Sequence, residues 1–195
     1  MENQRVCVYC GSSRQCDPIY LKAAEQVGRV LARNNFTVVY GGGAAGSMKS
    51  LADGVMAEGG HVVGVIPEFM VKLEWVNPRI PETIVVNDMH ERKKRMIEGV
   101  DAVIALPGGS GTLEELMEAI TWKRLGLYLG AIIILNTQSF YQPLVRLLNQ
   151  CIGERFMDSR HAQMWTFVNE PEDVPQAIAA AAPWSKDCRN FAALK

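Results

Sequence analysis

The chain of 195 residues is long enough to bury the core of one domain, and its 48% hydrophobic and 21% charged residues are ordinary for a globular protein. A formal net charge of −1 excludes a general binder of nucleic acids or of membrane surfaces. No apolar run reaches the roughly 20 residues of a transmembrane helix, and the polar first residues predict no signal peptide. Five cysteines, an odd number, favour a reducing cytoplasm over a disulfide framework.

Short apolar runs and helical periodicity alternate along the chain. Buried strands are predicted at residues 6–9, 37–40, 61–66, 83–86, 103–106, 131–135 and 164–168. Helices are predicted at residues 18–34, 89–99, 140–152 and 171–182, and two more follow glycine-rich turns and end near residues 58 and 125. A short helix near residues 69–73 interrupts an irregular stretch. This alternation predicts a single α/β domain over residues 1–183, a doubly wound parallel sheet with helices on both faces, and a loosely ordered tail at 184–195.

Ligands of such sheets bind beyond the carboxyl ends of the strands, where we expect three turns to converge. The first turn is residues 10–13, CGSS. The second, residues 41–46, has the G-x-G-x-x-G spacing of dinucleotide folds, and Glu68 could bind a ribose. A nicotinamide-dependent oxidoreductase is therefore one hypothesis, although no second domain is available for its substrate. Ser47 stands where a P-loop needs lysine, and a turn that needs glycine only for packing is the other interpretation. The phosphate-binding candidates of these two turns are Ser13, Gly42 and Gly43.

The third turn lies within residues 101–115, DAVIALPGGSGTLEE, and is the most specific of the three. An apolar strand ends at Pro107, and three glycines then permit a tight turn and the close approach of a ligand. Free N–H groups at the start of the next helix would point at an anion, so residues 109–112 are expected to hold a phosphate. Glu114 is explained by the helix dipole, whereas Glu115 falls off the apolar stripe and is expected to face a cleft or a partner subunit. The stripe predicted to be buried consists of Leu113, Leu116, Met117 and Ile120.

Four positive charges lie on the helix predicted at residues 89–99. Lys93 falls on its apolar stripe and Arg92 borders that stripe, so both are predicted to bind an anion near the sheet edge. Lys94 and Arg95 lie on the opposite side, where ordinary surface pairing with glutamates explains them. The apolar stripe consists of Met89, Met96, Ile97 and Val100.

No metal site is predicted. Cys7 and Cys10 are three residues apart on a strand, so their side chains point to opposite faces. No second cysteine pair or histidine cluster completes a zinc site, and His61 and His161 are isolated in the sequence. Both cysteines are expected to be small buried hydrophobic residues.

Several motifs together resemble those of a known family. Residues 107–115 match the signature P-G-G-x-G-T-x-x-E, and further blocks follow in the same order. These blocks are residues 7–13 (CVYCGSS), 40–43 (YGGG), 64–67 (GVIP), 89–93 (MHERK) and 121–122 (TW). In them the chain resembles the LOG ("Lonely Guy") family of cytokinin riboside 5′-monophosphate phosphoribohydrolases, many once labelled lysine decarboxylases. The resemblance implies a Rossmann-like fold, usually a homodimer, and hydrolysis of the N-glycosidic bond of a nucleoside 5′-monophosphate to an adenine-type base and ribose 5-phosphate.

The resemblance also implies the residues of the site. Arg92 and Glu115 would be the catalytic pair, acting on AMP or a prenylated AMP without a metal or redox cofactor. The residues implied to contact the nucleotide are Glu74, Arg92, Lys93, Gly109, Ser110, Gly111, Thr112, Leu113, Glu114, Glu115 and Thr121.

The chain departs from the family pattern after Gly46. The family commonly has Gly-Leu-Met-Gly there, whereas this chain has Lys49 at the last position. The lysine either prevents close approach of the backbone or meets the phosphate. A pyridoxal-dependent decarboxylase would need a Schiff-base lysine, for which Lys49 and Lys93 are the candidates near the sheet edge. A nucleotide carrier without turnover is a further hypothesis from a different class of protein.

Overall fold

The computed structural model describes residues 4–73 and 75–192. Within them a seven-stranded parallel sheet has the order β4-β3-β2-β1-β5-β6-β7. The strands are β1 (Arg5–Tyr9), β2 (Thr37–Tyr40), β3 (Val62–Pro67), β4 (Glu82–Val86), β5 (Ala102–Ala105), β6 (Ala131–Leu135) and β7 (Thr166–Val168). Strands β3, β5 and β6 are buried along their whole length and β1 is buried after Arg5, which is why these strands are apolar without alternation.

Helices cover both faces of the sheet. They are α1 (Pro18–Arg33), α2 (Gly46–Ala57), α3 (Glu68–Lys72), α4 (Met89–Ile97), α5 (Ser110–Arg124), α6 (Gln142–Gly153) and α7 (Val174–Ala179). The core on one face is closed by α1, α2 and α7, and the core on the other by α4, α5 and α6. The predicted doubly wound, Rossmann-like α/β domain is therefore confirmed. In residues 4–73 and 75–192, no helix has both the length and the apolar character needed to cross a membrane.

Most predicted elements are present, and the differences lie at their ends. Asp17 caps α1, its carboxylate accepting a hydrogen bond of 2.9 Å from the Ile19 N–H. Strand β7 begins two residues later than predicted, because residues 159–164 form a 3₁₀ turn in which Asp158 and His161 cap each other. Helix α6 also begins later, after a 3₁₀ turn at residues 137–139, and the helix predicted at 171–182 is a 3₁₀ turn followed by α7.

The buried face of α5 differs from the predicted stripe. Leu116 and Ile120 are buried as expected, but Leu113 and Met117 are 38% and 39% exposed. The face of α5 that packs inward contains both polar and apolar residues. The prediction that Leu113 and Met117 belong to the buried stripe is therefore wrong. The residues buried on α5 are Thr112, Glu115, Leu116, Ala119, Ile120 and Lys123.

The segment after residue 183, expected to be loosely ordered, has specific contacts up to residue 192. The Trp184 indole N–H donates to the Lys123 carbonyl at 2.9 Å, and Arg189 Nε donates to the Leu125 carbonyl at 3.1 Å. Cys188 is buried beside them. Residues 184–192 are thus held against the end of α5, and residues 193–195 lie outside the described part of the chain.

Candidate active site

Three turns converge at the carboxyl edge of the sheet, as the sequence predicts. Strand β1 pairs with β2 on one side and β5 on the other, so the strand order reverses here. The Met48 N–H donates to the Gly11 carbonyl at 3.2 Å, which joins the start of α2 to the turn after β1. Gly46 has a φ of +56°, and a Cβ there would overlap the Ser13 carbonyl, so only glycine allows this close approach. A Cβ at Gly11 would lie 3.4 Å from Gly108, which brings the turn after β5 to the same place.

A cavity of about 470 Å³ opens between the turn after β2 and the start of α5. This volume is in the range of small-molecule sites. Its polar lining comes from Ser12, Arg14, Arg92 and the backbone of Gly111. Its apolar lining comes from Met48, Ile66, Met70, Trp75 and Met89. The cavity can therefore hold a ligand that combines an anionic group with a flat or apolar group.

A second cavity of about 260 Å³ adjoins the first and shares Ser12 with it. Ser13, Ser47 and Gly109 contribute to its lining, and Tyr20 and Phe140 close it with rings 5.8 Å apart. The start of α5 thus lies between the two cavities, with Gly109 facing one and Gly111 the other.

Arg92 projects from α4 to the floor of the first cavity and is only 5% exposed. Its Nε donates to the Val65 carbonyl at 3.0 Å, and its Nη2 donates to the Gly41 carbonyl at 2.8 Å. A Cβ at Gly41 would overlap the guanidinium, so this glycine makes the space that Arg92 occupies. Two backbone acceptors therefore fix the orientation of the planar guanidinium group, and Nη1 is left to interact with Glu115 or a ligand.

Glu115 projects from α5 toward the same guanidinium and is 6% exposed. Its Oε1 lies 3.7 Å from Arg92 Nη1. Burial raises the pKa of Glu115 from its ordinary value of 4.5 to about 7, although the neighbouring Arg92 opposes this rise. A carboxyl group with a pKa near neutrality, held beside a fixed cation at a cavity, is a candidate for proton transfer. The two residues that the resemblance implies as the catalytic pair are in contact.

The two lysines near this edge are both engaged by carboxylates. Lys93 Nζ lies 2.5 Å from Glu114 Oε1 and 3.3 Å from Glu118 Oε1, and the bond to Glu114 raises its pKa. Lys49 is paired with Asp53, its neighbour one turn along α2, and lines neither cavity. A Schiff-base lysine must be unprotonated and accessible, so these residues do not fit a pyridoxal-dependent decarboxylase. Lys49 also does not meet a phosphate in this arrangement.

The first turn of α5 is open. Its cap residue is Gly109, and among residues 4–73 and 75–192 no side chain accepts a hydrogen bond from the free N–H groups of the turn. A Cβ at Gly109 or Gly111 would meet nothing within 4 Å, so both positions face open space. Gly108 is different, because a Cβ there would overlap Thr112, which is buried beneath it. The turn thus offers backbone donors and a positive dipole end to an anion.

Some of the remaining predicted site residues line one of the two cavities, and others do not. Gly43 lines the first cavity and Ser13 the second, whereas Gly42 has a φ of +73° and is packed against Ile66. Leu113 and Thr121 are exposed on the outer face of α5, where the Thr121 hydroxyl donates to the Met117 carbonyl. Glu68 is exposed and paired with Lys72 at 3.0 Å, away from both cavities, which removes the proposed ribose-binding acid of a dinucleotide site. Glu74 lies outside the described residues.

Sequence reasoning missed the walls of the first cavity. Trp75, Met48 and Met70 belong to it, and so does Arg14 from the turn after β1. Arg14 is exposed and has no ion pair among residues 4–73 and 75–192. The only signal for Trp75 is a large aromatic residue inside a stretch without periodicity, which says nothing about its neighbours in space.

Known proteins resemble this chain in sequence and in fold. The family model described as possible lysine decarboxylase matches residues 48–178. A probable cytokinin riboside 5′-monophosphate phosphoribohydrolase of Oryza sativa subsp. japonica is 37% identical over 180 residues, covering 92% of this chain and 74% of its own length. A cytokinin riboside 5′-monophosphate phosphoribohydrolase of Arabidopsis thaliana is 42% identical over 154 residues, covering 79% and 71%.

Among solved structures, a molybdenum cofactor binding protein from Rippkaea orientalis has a TM-score of 0.71 at 23% identity, over 92% of this chain and 98% of that protein. This likeness shows a shared fold, whereas the sequence relatives show descent over most of the chain. The chain therefore belongs to the LOG family.

Proposed function

We propose that the protein hydrolyses the N-glycosidic bond of nucleoside 5′-monophosphates, AMP or a prenylated AMP, to free base and ribose 5-phosphate. One observation carries the proposal. Arg92 and Glu115 are two buried and oppositely charged residues 3.7 Å apart, and Arg92 lines the cavity beside the open first turn of α5. The relatives described above are named for this reaction. The open turn of α5 suits the phosphate of such a substrate, and the apolar lining of the cavity suits its base.

The reaction needs stabilisation of a positively charged ribosyl group. As the bond from C1′ to the base breaks, its electron pair leaves with the base and C1′ becomes oxocarbenium-like. The Glu115 carboxylate stabilises that charge and takes a proton from the water that adds to C1′, and the departing base takes up one proton to leave as the neutral free base. Arg92 Nη1 lies 4.0 Å from Met89 Sδ, and its charge steadies the base as it departs.

The phosphate belongs at the start of α5 in this proposal. Residues 109–112 present backbone N–H groups and the positive end of the helix, and Ser12 and Arg14 add polar groups to the lining of the cavity. Thr112 supports the turn from below rather than from within the cavity. Lys93 adds positive charge behind it, although two glutamates neutralise much of that charge.

We further propose a homodimer that uses the outer face of α5. Leu113 and Met117 are exposed on this helix, and Leu127 and Leu129 are exposed just after it. Thr121 also lies on this face and does not reach the cavity of its own chain, so the contact with nucleotide that the resemblance implies for Thr121 would require a second copy. Introducing a charge with Leu127→Glu should yield a monomer in sedimentation, and an unchanged sedimentation coefficient would argue against this face. We place the protein in the cytoplasm, which the odd number of cysteines supports.

The decisive assay is direct. The folded protein is incubated with AMP and with isopentenyladenosine monophosphate, and free base and ribose 5-phosphate are separated by chromatography. Release from at least one substrate is expected, and Arg92→Ala or Glu115→Ala should lower turnover by at least about 100-fold. Arg95→Ala is the matched control, because Arg95 is an exposed residue of the same helix and pairs with Glu98 on the surface. No release by the folded wild-type protein would refute the proposed function.

A further inference from the structure

Trp75 is a large aromatic side chain that the proposed chemistry does not use. It is 54% exposed, yet it lines the cavity that holds Arg92, together with Met48, Met70 and Met89. Exposed aromatic surface beside a concave apolar wall is typical of a ligand site. Methionine side chains also make favourable contacts with aromatic rings and adapt to their shape.

The backbone of Trp75 is fixed to the site on both sides. Its N–H donates to the Met70 carbonyl at 3.1 Å, and its carbonyl accepts from the Ala44 N–H at 3.0 Å. The next residue, Val76, forms a bridge with Gly43. The same turn after β2 carries the Gly41 carbonyl that holds Arg92. The backbone of Trp75 and the Arg92 guanidinium are therefore positioned by one turn, which fixes where the indole leaves the chain relative to Arg92.

The chemistry of the cavity assigns the two ends of a nucleotide. A phosphate fits the open turn of α5 and Arg14, which offer backbone N–H groups and a positive charge. Thioethers and the face of an indole ring offer no positive charge to a dianion, whereas they suit the flat face of a base. We propose that Trp75 is the stacking platform for the purine base and thereby a specificity-determining residue. This inference rests on the proposed function for the identity of the ligand, but it concerns binding and not turnover.

The test measures the contribution of the base to binding separately from that of the ribose and phosphate. Affinities for AMP and for ribose 5-phosphate, which lacks the base, are measured by calorimetry in a Glu115→Gln background. Adding Trp75→Ala should weaken AMP binding by between about 5-fold and 150-fold, the range that stacking of one base contributes. Binding of ribose 5-phosphate should change by less than about twofold. A variant that only disturbed the loop would weaken both ligands alike.

Two further substitutions distinguish stacking from simple apolar contact. Trp75→Phe keeps an aromatic face and should retain most of the AMP affinity, whereas Trp75→Leu should behave like Trp75→Ala. Phe156→Ala is the matched control, because Phe156 is 79% exposed and lines neither cavity. The proposal is overturned if Trp75→Ala leaves AMP binding unchanged, if it weakens both ligands equally, or if Trp75→Leu binds AMP as the wild type does.

The same measurements separate this proposal from the proposed function. A protein that binds AMP with the expected dependence on Trp75 but releases no base would refute the hydrolysis and leave the role of Trp75 standing. A protein that releases base while AMP binding is independent of Trp75 would do the reverse.

Discussion

The buried carboxyl group of Glu115 should make the stability of the protein fall as the pH rises, and Glu115→Gln should remove that dependence. Burial raises the pKa of Glu115 in the folded protein from 4.5 to about 7, against the opposing effect of Arg92. Between these two values the folded state holds a proton that the unfolded state has lost. The contribution is therefore fully present below pH 4.5 and is lost progressively as the pH rises through about 7.

The size of the effect follows from the shift. Each unit of pKa difference corresponds to about 1.4 kcal/mol, so Glu115 should lower the free energy of unfolding by about 3 kcal/mol between pH 4.5 and pH 8. That is a large fraction of the roughly 5–15 kcal/mol that stabilises a typical domain. The side chain is almost wholly removed from water, so solvent screening reduces this figure little.

The measurement compares pH dependences and not absolute stabilities. Urea unfolding is recorded at pH 4.5 and pH 8 for the wild type and for Glu115→Gln. For each protein the free energy of unfolding at pH 4.5 is compared with that at pH 8, and the change in the variant is subtracted from the change in the wild type. Other titrating groups cancel in this difference, and so does any constant cost of leaving Arg92 without its carboxylate. Glu154→Gln, at an exposed position after α6, is the control for a change from carboxylate to amide. Equal pH dependence in wild type and Glu115→Gln would refute the assignment of a raised pKa to Glu115.

Three other predictions concern activity. If the ionised form of Glu115 is the active one, kcat/KM for AMP should rise with pH through an apparent pKa of about 7, and a profile that is flat from pH 5 to 9 would contradict this role. Gly41→Ala should lower turnover by at least about tenfold, because its methyl group would displace the Arg92 guanidinium from the position in which the Val65 and Gly41 carbonyls hold it. Lys49→Ala should change unfolding free energy by less than about 1 kcal/mol and leave turnover near wild type, because Lys49 forms an exposed pair with Asp53; a large loss of activity would show that it acts at the site.

The arrangement of the site was predictable where it depends on the sheet. Apolar strands without alternation predict a parallel sheet, and in such a sheet the turns after β1, β2 and β5 must share one edge. The position of Arg92 was predictable for a similar reason, since a charged residue bordering an apolar helical stripe cannot avoid the packed side. These inferences depend on periodicity, which is a local property of the chain.

The walls of the cavity were not predictable in this way. Met48 comes from α2, Met70 from α3 and Met89 from the start of α4, while Trp75 follows α3 in a stretch without regular structure. The sequence around each of these residues gives no sign that the residue lines a cavity. Their proximity arises from the packing of these segments at one sheet edge, and helical periodicity contains no information about that packing.

The buried face of α5 shows why polarity alone does not identify a functional residue. The helix buries Glu115 near its start and Lys123 near its end, at the expense of Leu113 and Met117. Lys123 serves the fold: its Nζ donates to the Gly130 carbonyl at 2.6 Å, and burial lowers its pKa to about 8. Both residues are buried ionisable groups with pKa values moved toward neutrality. Only Glu115 has an opposite charge fixed beside it and a cavity within reach of that charge. Function on this helix is therefore assigned by what surrounds the buried charge, since burial itself is common to both residues.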